Sequence, residues 1–241
     1  DDYSQGIFFT IKNIKTKKIW SSNYSFNENK ESGYQISFMP DKDEQELTNG
    51  NIKKKIKTTV SSTESVELRR VILENQGNSE EILEITSYFE PVLSKKEQDY
   101  AHPAFNNLFL VNKFDEETNS LIIKRKKREK GDEEVYLMVN LSTNSETIGD
   151  LEYEINEEKF IGRGNLGIPI MVKNSMPLSK KIGLVTEPIV ALKRTIKVKP
   201  NEEAIIDLII SVDNEKEKAK ANIEKYKLSE NVNNEFELSK A

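Results

Sequence analysis

The sequence predicts an all-β protein: an antiparallel super-sandwich, meaning two broad facing sheets, with a C-terminal linker helix. Three observations support this expectation. Apolar and polar residues alternate with a period of two, the alternating segments recur about every ten residues, and polar turns separate them. The segments are too numerous for a small immunoglobulin-like sandwich of about seven to nine strands. A larger sandwich of two sheets is therefore expected.

The run NIKKKIKTTV, residues 51–60, illustrates the strand pattern. Ile52 and Ile56 share one face with Lys54, whereas Lys53 and Lys55 point to the other face. This pattern is typical of a strand with one face in water. Further strands are expected in GIFFTIKN, KKIWSSNYSF, GYQISFMPD, SVELRRVILEN and SEEILEITSYFEPVL, the last two separated by a turn at NQGNS.

Two hairpins are predicted in the second half of the chain. The first turns at Gly131 and Asp132, and the second turns at Pro200 and Asn201. The basic run KRKKREK, residues 124–130, falls at the tip of the first hairpin. Because it lacks interleaved aromatic residues and belongs to an acidic chain, we interpret it as a solvated tip and not as a nucleic-acid patch.

Helical character is confined to two segments. In DNEKEKAKANIEKYK the charge order complements a helix dipole, with Asp213 as the expected N-cap. Its apolar stripe of Ala219, Ile223 and Tyr226 should lie on the sheet or on a neighbouring domain. The run NEEKFIG, residues 156–162, predicts one short turn of helix.

These elements divide the chain into two parts. Residues 1–212 are expected to form the super-sandwich domain. Residues 213–241 are expected to form a helical connector, whose polar tail SENVNNEFELSKA is interpreted as a linker. Because the first residue is Asp1 and a strand follows almost at once, we expect the chain to be an internal piece of a longer polypeptide. No signal-peptide pattern opens it.

Composition narrows the chemistry that the chain can perform. There are no cysteines, so a thiolate zinc site, a disulfide framework and a Cys nucleophile are excluded. The 36 basic and 41 acidic side chains give a net charge of −5, which argues against general affinity for nucleic acid or an anionic membrane. No apolar run approaches the roughly 20 residues of a membrane helix. No cofactor is indicated, and the composition leaves the compartment open.

The single histidine, His102, lies in the apolar run YAHPAF. With no second histidine and no carboxylate at ligand spacing beside it, a catalytic triad or a histidine-rich metal site is excluded. A single-histidine general base stays open. We expect His102 to be a structural loop anchor, with its imidazole hydrogen-bonded to a backbone carbonyl.

Three residues are candidates for binding carbohydrate. Trp20 and Tyr24 can offer ring faces on which a pyranose packs, although a core or interface role for Trp20 is the alternative. Arg163 stands between two glycines in FIGRGN, where a guanidinium can donate paired hydrogen bonds to hydroxyls, a phosphate or a carboxylate. Simple loop geometry is the alternative there.

The order of these motifs resembles the β-super-sandwich domain of the cellobiose-phosphorylase group, glycoside hydrolase family 94. The likeness is greatest to the branch of cyclic β-1,2-glucan synthetases and 1,2-β-oligoglucan phosphorylases. It runs from about residue 5 to residue 226 in family order. The matching segments are Trp20-Ser21, GYQISFMPDKDEQEL, VELRRVILENQG, EITSYFEPVL, AHPAFNNLF, FIGRG and EPIVALKRTIKVKPNEE.

The resemblance implies a galactose-mutarotase-like super-sandwich that supports a catalytic domain. In this group the general acid is an Asp of an (α/α)6 barrel that follows the sandwich, and the reaction is inverting phosphorolysis or synthesis of β-glucosides. No catalytic residue can be carried over to this chain. The resemblance also implies packing against the barrel, contact with a β-glucan oligosaccharide, a homodimer as an open alternative, and a cytoplasmic parent enzyme.

Two other functions stay open at this point. An autonomous carbohydrate-binding module would use Trp20, Tyr24 and Arg163. A sugar mutarotase shares the super-sandwich architecture, but enzymes of that class use His and Glu in a cleft, and this chain has one histidine.

Overall fold

The computed structural model describes residues 6–22, 44–91, 93, 110–127, 133–165 and 167–239. The predicted strand GYQISFMPD, the AHPAF motif with His102, and Gly131 and Asp132 at the predicted hairpin tip lie outside these residues. All secondary structure and contacts below refer to the described ranges.

Twelve strands form two antiparallel sheets in these ranges, as the sequence predicts. The five-stranded sheet has the order β10-β11-β6-β1-β2, and the seven-stranded sheet has the order β3-β4-β5-β12-β9-β8-β7. The strands are β1 Phe8–Asn13, β2 Ile19–Ser21, β3 Glu44–Asn49, β4 Ile52–Val60, β5 Val66–Asn75, β6 Glu81–Phe89, β7 Leu110–Asp115, β8 Ser120–Arg125, β9 Val135–Thr143, β10 Glu152–Asn156, β11 Pro188–Val198 and β12 Glu203–Asp213.

The main apolar core lies between the two sheets and takes alternate residues from most strands. In β5, Leu73 faces this core while Leu68 faces a second cluster on the other side of the same sheet, and both are fully buried. The seven-stranded sheet is therefore covered on both faces. Burial on both faces explains why β9 and β12 contain nearly continuous apolar runs.

Short helices cover the outer faces of both sheets. Helices α3, Lys216–Tyr226, and α4, Ser229–Leu238, pack on the seven-stranded sheet. Helices α1, Glu157–Ile161, and α2, Ile170–Lys173, pack on the five-stranded sheet. The predicted short helix at 156–162 and the predicted apolar stripe of the C-terminal helix are both confirmed, since Ala219, Ile223 and Tyr226 are fully buried.

The predicted hairpin at Pro200 and Asn201 is wrong. Strand β11 pairs with β6 and β10, whereas β12 pairs with β5 and β9, so the connection crosses from one sheet to the other. The turn itself is present, with Asn201 in the left-handed region at φ 59°. A tight polar turn has the same residues whether its strands pair together or face each other across a core, and this ambiguity produced the error.

Asn75 joins this crossover to the neighbouring one, in which β5 of one sheet leads into β6 of the other. Its buried Nδ2 donates to the carbonyl oxygens of Ser79, at 2.8 Å, and Val198, at 2.9 Å. Its backbone carbonyl accepts from the amide of Asn201 at 2.7 Å, and its amide donates to Glu202 at 3.0 Å. One asparagine therefore satisfies backbone groups of both connections at this end of the sandwich.

The C-terminal tail, which the sequence analysis interprets as a linker, contains a helix. Residues 229–238 form α4, and Val232 and Phe236, four residues apart, are buried against the seven-stranded sheet. The expected N-cap is displaced as well. Helix α3 begins at Lys216, and Asp213 instead accepts a hydrogen bond from the amide of Glu215 at 2.9 Å.

A buried ion pair fixes α4 to the sheet. Arg70 of β5 donates to both carboxylate oxygens of Asp207 of β12, at 2.7 and 2.8 Å. The same guanidinium donates to the hydroxyl of Ser229, at 2.9 Å, and to the side-chain carbonyl of Asn233. Burial raises the pKa of Asp207, and the hydrogen bonds from Arg70 oppose that rise.

We therefore expect Arg70→Met to lower the free energy of unfolding by about 3–5 kcal/mol, because it leaves the Asp207 carboxylate buried without its partner. The double variant Arg70→Met/Asp207→Leu should recover most of that loss, since it removes both charges. Urea-induced unfolding measures both variants. Equal losses in the single and double variants would show that the charge pair is not what holds this side of the sheet.

Candidate functional site

Residues 157–184, here called the outer platform, run from the outer face of the five-stranded sheet to the edge beside β7, where the carbonyl of Gly183 accepts from the Nδ2 of Asn112 at 3.1 Å. Helix α1 starts with Asn156, whose side-chain oxygen accepts from the amide of Lys159 at 2.9 Å. Phe160 of α1 is fully buried and packs on Tyr88, with ring centroids 5.2 Å apart. The sequence therefore starts this segment with a capped helix and seats it with one aromatic side chain.

The glycines beside Arg163 have the conformational role that the sequence predicts. Gly162 has φ 95°, and a Cβ at this position would lie 3.2 Å from the Cγ2 of Ile170. Gly164 has φ 68°. These two residues turn the chain between α1 and α2 and leave Arg163 exposed at the turn. Asn165 closes the turn, because its Nδ2 donates to two backbone carbonyls, one on each side of the loop.

Two buried lysines of the sheet hold the outer platform by its backbone. Lys12 of β1 donates from Nζ to the carbonyl oxygens of Val172, at 3.2 Å, and Lys173, at 2.7 Å. Lys193 of β11 donates to the carbonyl of Met176 at 2.9 Å. These carbonyls belong to the C-terminal end of α2 and the turn after it, where cationic side chains are favourable. Burial lowers the pKa of Lys12, and nearby Glu84 opposes this.

Carboxylates of β10 complete this clamp. Glu152 lies 3.2 Å from the Nζ of Lys193 and accepts from the amide of Leu178 at 2.8 Å. Glu154, which is buried, accepts from the amide of Ser179 at 3.3 Å. Residues 176–179, which follow α2, are therefore tied to the sheet through main-chain groups, and their conformation is set independently of their exposed side chains.

Several apolar side chains of the outer platform point into solvent. Leu184 is 83% exposed, and Ile170, Met176 and Ile182 are also exposed. Isolated exposed apolar residues are ordinary, but four on one short segment held against a sheet indicate an interaction surface.

The structure does not bring the sequence-predicted binding residues together. Trp20 is 6% exposed and lies in the core between the sheets, in line with the core alternative that the sequence left open. Arg163 follows a helix on the opposite, outer face of the five-stranded sheet. Tyr24 and His102 lie outside the described residues, so a sugar contact by Tyr24 or Arg163 and a loop-anchoring role for His102 stay predictions.

Trp20 has a partner that the sequence analysis missed. The ammonium of Lys54 lies 3.6 Å from the centre of the Trp20 ring, and Lys54 is 3% exposed. Its Nζ makes no hydrogen bond within the described part of the chain. Burial lowers the pKa of Lys54 to about 6, while the indole face favours the charged form. The sequence did indicate that Lys54 is buried, since it shares the apolar face of Ile52 and Ile56.

The described ranges contain neither a metal-binding cluster nor a membrane-spanning helix. No group of three or more His, Asp or Glu residues there is placed to hold a metal ion. None of the helices described is both long and apolar enough to cross a membrane.

The fold, with two broad antiparallel sheets and helices on both outer faces, is that of a super-sandwich. The family model "Glycosyl hydrolase 94, supersandwich domain" matches residues 2–229, and the chain belongs to this family. It is 26% identical over 232 residues to the cyclic β-(1,2)-glucan synthase NdvB of Rhizobium meliloti (strain 1021). That alignment covers 96% of this chain but only 8% of the relative.

A solved structure of a polysaccharide lyase is also similar. It superposes with a TM-score of 0.46 at 14% identity, over 94% of this chain and 28% of the lyase. The family resemblance expected from the ordered motifs is thus confirmed by the family model and by the relative that it matches, and the chain is a super-sandwich module of glycoside hydrolase 94 proteins.

The Lys54 site gives a pH-dependent prediction. Because its pKa is about 6 when folded and 10.5 as a free side chain, the unfolded chain binds more protons between these values, so the stability of the wild type rises with pH across that window. Lys54→Met should therefore raise the free energy of unfolding by roughly 4–5 kcal/mol at pH 7, and the gain should vanish towards pH 10.5.

Urea unfolding at several pH values between 6 and 10 measures this effect. The matched control is Lys53→Met on the opposite face of the same strand, which should change the free energy of unfolding by less than about 1 kcal/mol. A pH-independent or destabilising effect of Lys54→Met would show that the buried ammonium carries no ionisation cost.

Proposed function

We propose that this chain is the supporting, non-catalytic domain of a β-glucan phosphorylase or cyclic β-1,2-glucan synthase. In this proposal the outer platform packs against the catalytic (α/α)6 barrel of the same polypeptide and shapes one wall of its carbohydrate cleft. The observation that carries the proposal is the clamped outer platform with its exposed apolar side chains. Family membership and the small share of the relative that the chain covers support it.

Rigidity is the first reason to choose this surface. Docking costs less conformational entropy when a surface is already ordered in its bound shape. Lys12 and Lys193 fix the segment through backbone carbonyls before any partner arrives. The exposed side chains of Ile170 and Met176 are therefore presented by backbone that needs little further ordering.

The outer face of the seven-stranded sheet, on the opposite side of the sandwich, is less suited to docking a domain. Helices α3 and α4 occupy the outer face of the seven-stranded sheet, and their large apolar residues other than Leu238 are turned inward to it. In the proposal these two helices serve as the connector that leads towards the barrel. The five-stranded side is then the side left for a domain contact.

We propose no catalytic role for this chain because the carboxylates of β10 are already engaged as hydrogen-bond acceptors. Glu152 and Glu154 accept hydrogen bonds from backbone amides, and Glu152 also pairs with Lys193. A carboxylate held in this way as an acceptor is poorly suited to act as a general acid. We assign the acid of the reaction to the barrel, and expect this chain alone to catalyse no phosphorolysis of sophorose-type oligosaccharides.

The experiment is to co-express this chain with the remaining polypeptide of its parent protein and to measure their association. Leu184→Asp should weaken the association by at least roughly tenfold, because it places a charge in the proposed apolar contact, on its most exposed apolar side chain. The matched control is Leu228→Asp, since Leu228 is 64% exposed and lies between the helices of the other face. Size-exclusion chromatography and phosphorolysis assays read out both variants.

Equal behaviour of the two variants would argue against the outer platform as the docking surface. Phosphorolysis by this chain alone would contradict the supporting role itself.

A further inference from the structure

A cleft of about 490 Å³ opens at one edge of the sandwich, and all of its lining residues except Lys180 lie outside the outer platform. At this edge β7 of one sheet meets β10 of the other, and the rings of Phe114 and Tyr153 stack with centroids 4.5 Å apart and an interplanar angle of 11°. The volume falls within the range of about 300–1,000 Å³ that is usual for small-molecule sites.

Arg194 of β11 provides the strongest polar group of this edge cleft. Its half-buried guanidinium donates from Nε to the carbonyl of Leu141 at 2.8 Å. This bond fixes the plane of the guanidinium, and neither Nη group makes a hydrogen bond or an ion pair within the described residues. Burial lowers the pKa of Arg194, and nearby Asp150 opposes this. An oriented guanidinium with two unused donor groups is suited to a bidentate contact.

The remaining polar lining balances this charge. Lys180 adds a second cation, and its Nζ lies 3.5 Å from the Oδ2 of Asp150. Glu116 adds a second carboxylate, whose charge contributes to the raised pKa of Tyr153. Asn119 and Thr147 contribute an amide and a hydroxyl. The edge cleft thus offers charged and neutral hydrogen-bonding groups, and its two cations and two carboxylates give no net charge.

We propose that the edge cleft binds a neutral saccharide of one or two pyranose units. The two Nη groups of Arg194 donate to a pair of neighbouring hydroxyl oxygens. The carboxylates of Asp150 and Glu116 accept from hydroxyl groups of the same ligand. A phosphate or carboxylate ligand is disfavoured because two carboxylates line the same cleft. The edge cleft shares only Lys180 with the outer platform, and only the choice of a β-1,2-linked probe rests on the proposed function.

The test is isothermal titration of the 241-residue chain with glucose, sophorose, cellobiose and inorganic phosphate. We expect millimolar binding of at least one saccharide and no comparable binding of phosphate. Arg194→Lys should weaken saccharide binding by roughly tenfold or more, since an ammonium keeps the charge but cannot donate the two parallel hydrogen bonds of a guanidinium. Arg163→Lys, on the outer platform, is the matched control and should bind as the wild type does.

Asp150→Asn provides a second variant that leaves folding untouched, because the Asp150 side chain is 89% exposed. It should weaken saccharide binding as well, and by removing one negative charge it should favour phosphate over the wild type. Thermal unfolding midpoints establish that each variant is folded; if Arg194→Lys is not, Asp150→Asn decides alone.

Three results would overturn the proposal: no saccharide binding by the wild type, equal weakening by Arg163→Lys, or tighter binding of phosphate than of every saccharide. None of these bears on the association measured with Leu184→Asp. The failure of the edge cleft and the failure of the docking proposal are therefore distinguishable.

Discussion

Burial of both faces of the seven-stranded sheet is the constraint on which the rest of the structure depends. A strand buried on both sides cannot leave a polar side chain in water, so each charged residue in it needs a partner. Arg70 and Asp207 meet this requirement with each other, and they bring α4 onto the sheet through Ser229. Among the described residues, Lys54 has the ring face of Trp20 as its one partner, which makes it the costly exception.

The two outer faces meet the same constraint in different ways. On the seven-stranded sheet, side chains pair with side chains, and a substitution of either partner lowers the stability of the fold. On the five-stranded sheet, Lys12 and Lys193 donate to main-chain carbonyls of the outer platform, which every residue type supplies. The identities of the exposed platform residues are therefore left free by folding, and selection for a partner surface can act on them without loss of the clamp.

Much of the fold follows from the sequence because period-two alternation identifies strands wherever one face is buried. What the sequence could not supply is which strands pair. The turn at Pro200 and Asn201 has the same chemistry in a hairpin as in a crossover between sheets. Helix α4 was missed because its apolar stripe consists of little more than Val232 and Phe236 among polar residues. Local propensity is weak there, and contact with the sheet decides the outcome.

The site was harder to predict than the fold, for a related reason. Sequence motifs such as FIGRG report residues that are neighbours along the chain, whereas the edge cleft combines side chains from four distant segments. Alternation nevertheless links the two surfaces. Lys193 and Arg194 are consecutive in β11, as are Glu152 and Tyr153 in β10, and in each pair one residue faces the outer platform and the next faces the edge cleft. Because the same two strands carry both surfaces, a shift of these strands when the platform docks must also move the groups that line the cleft.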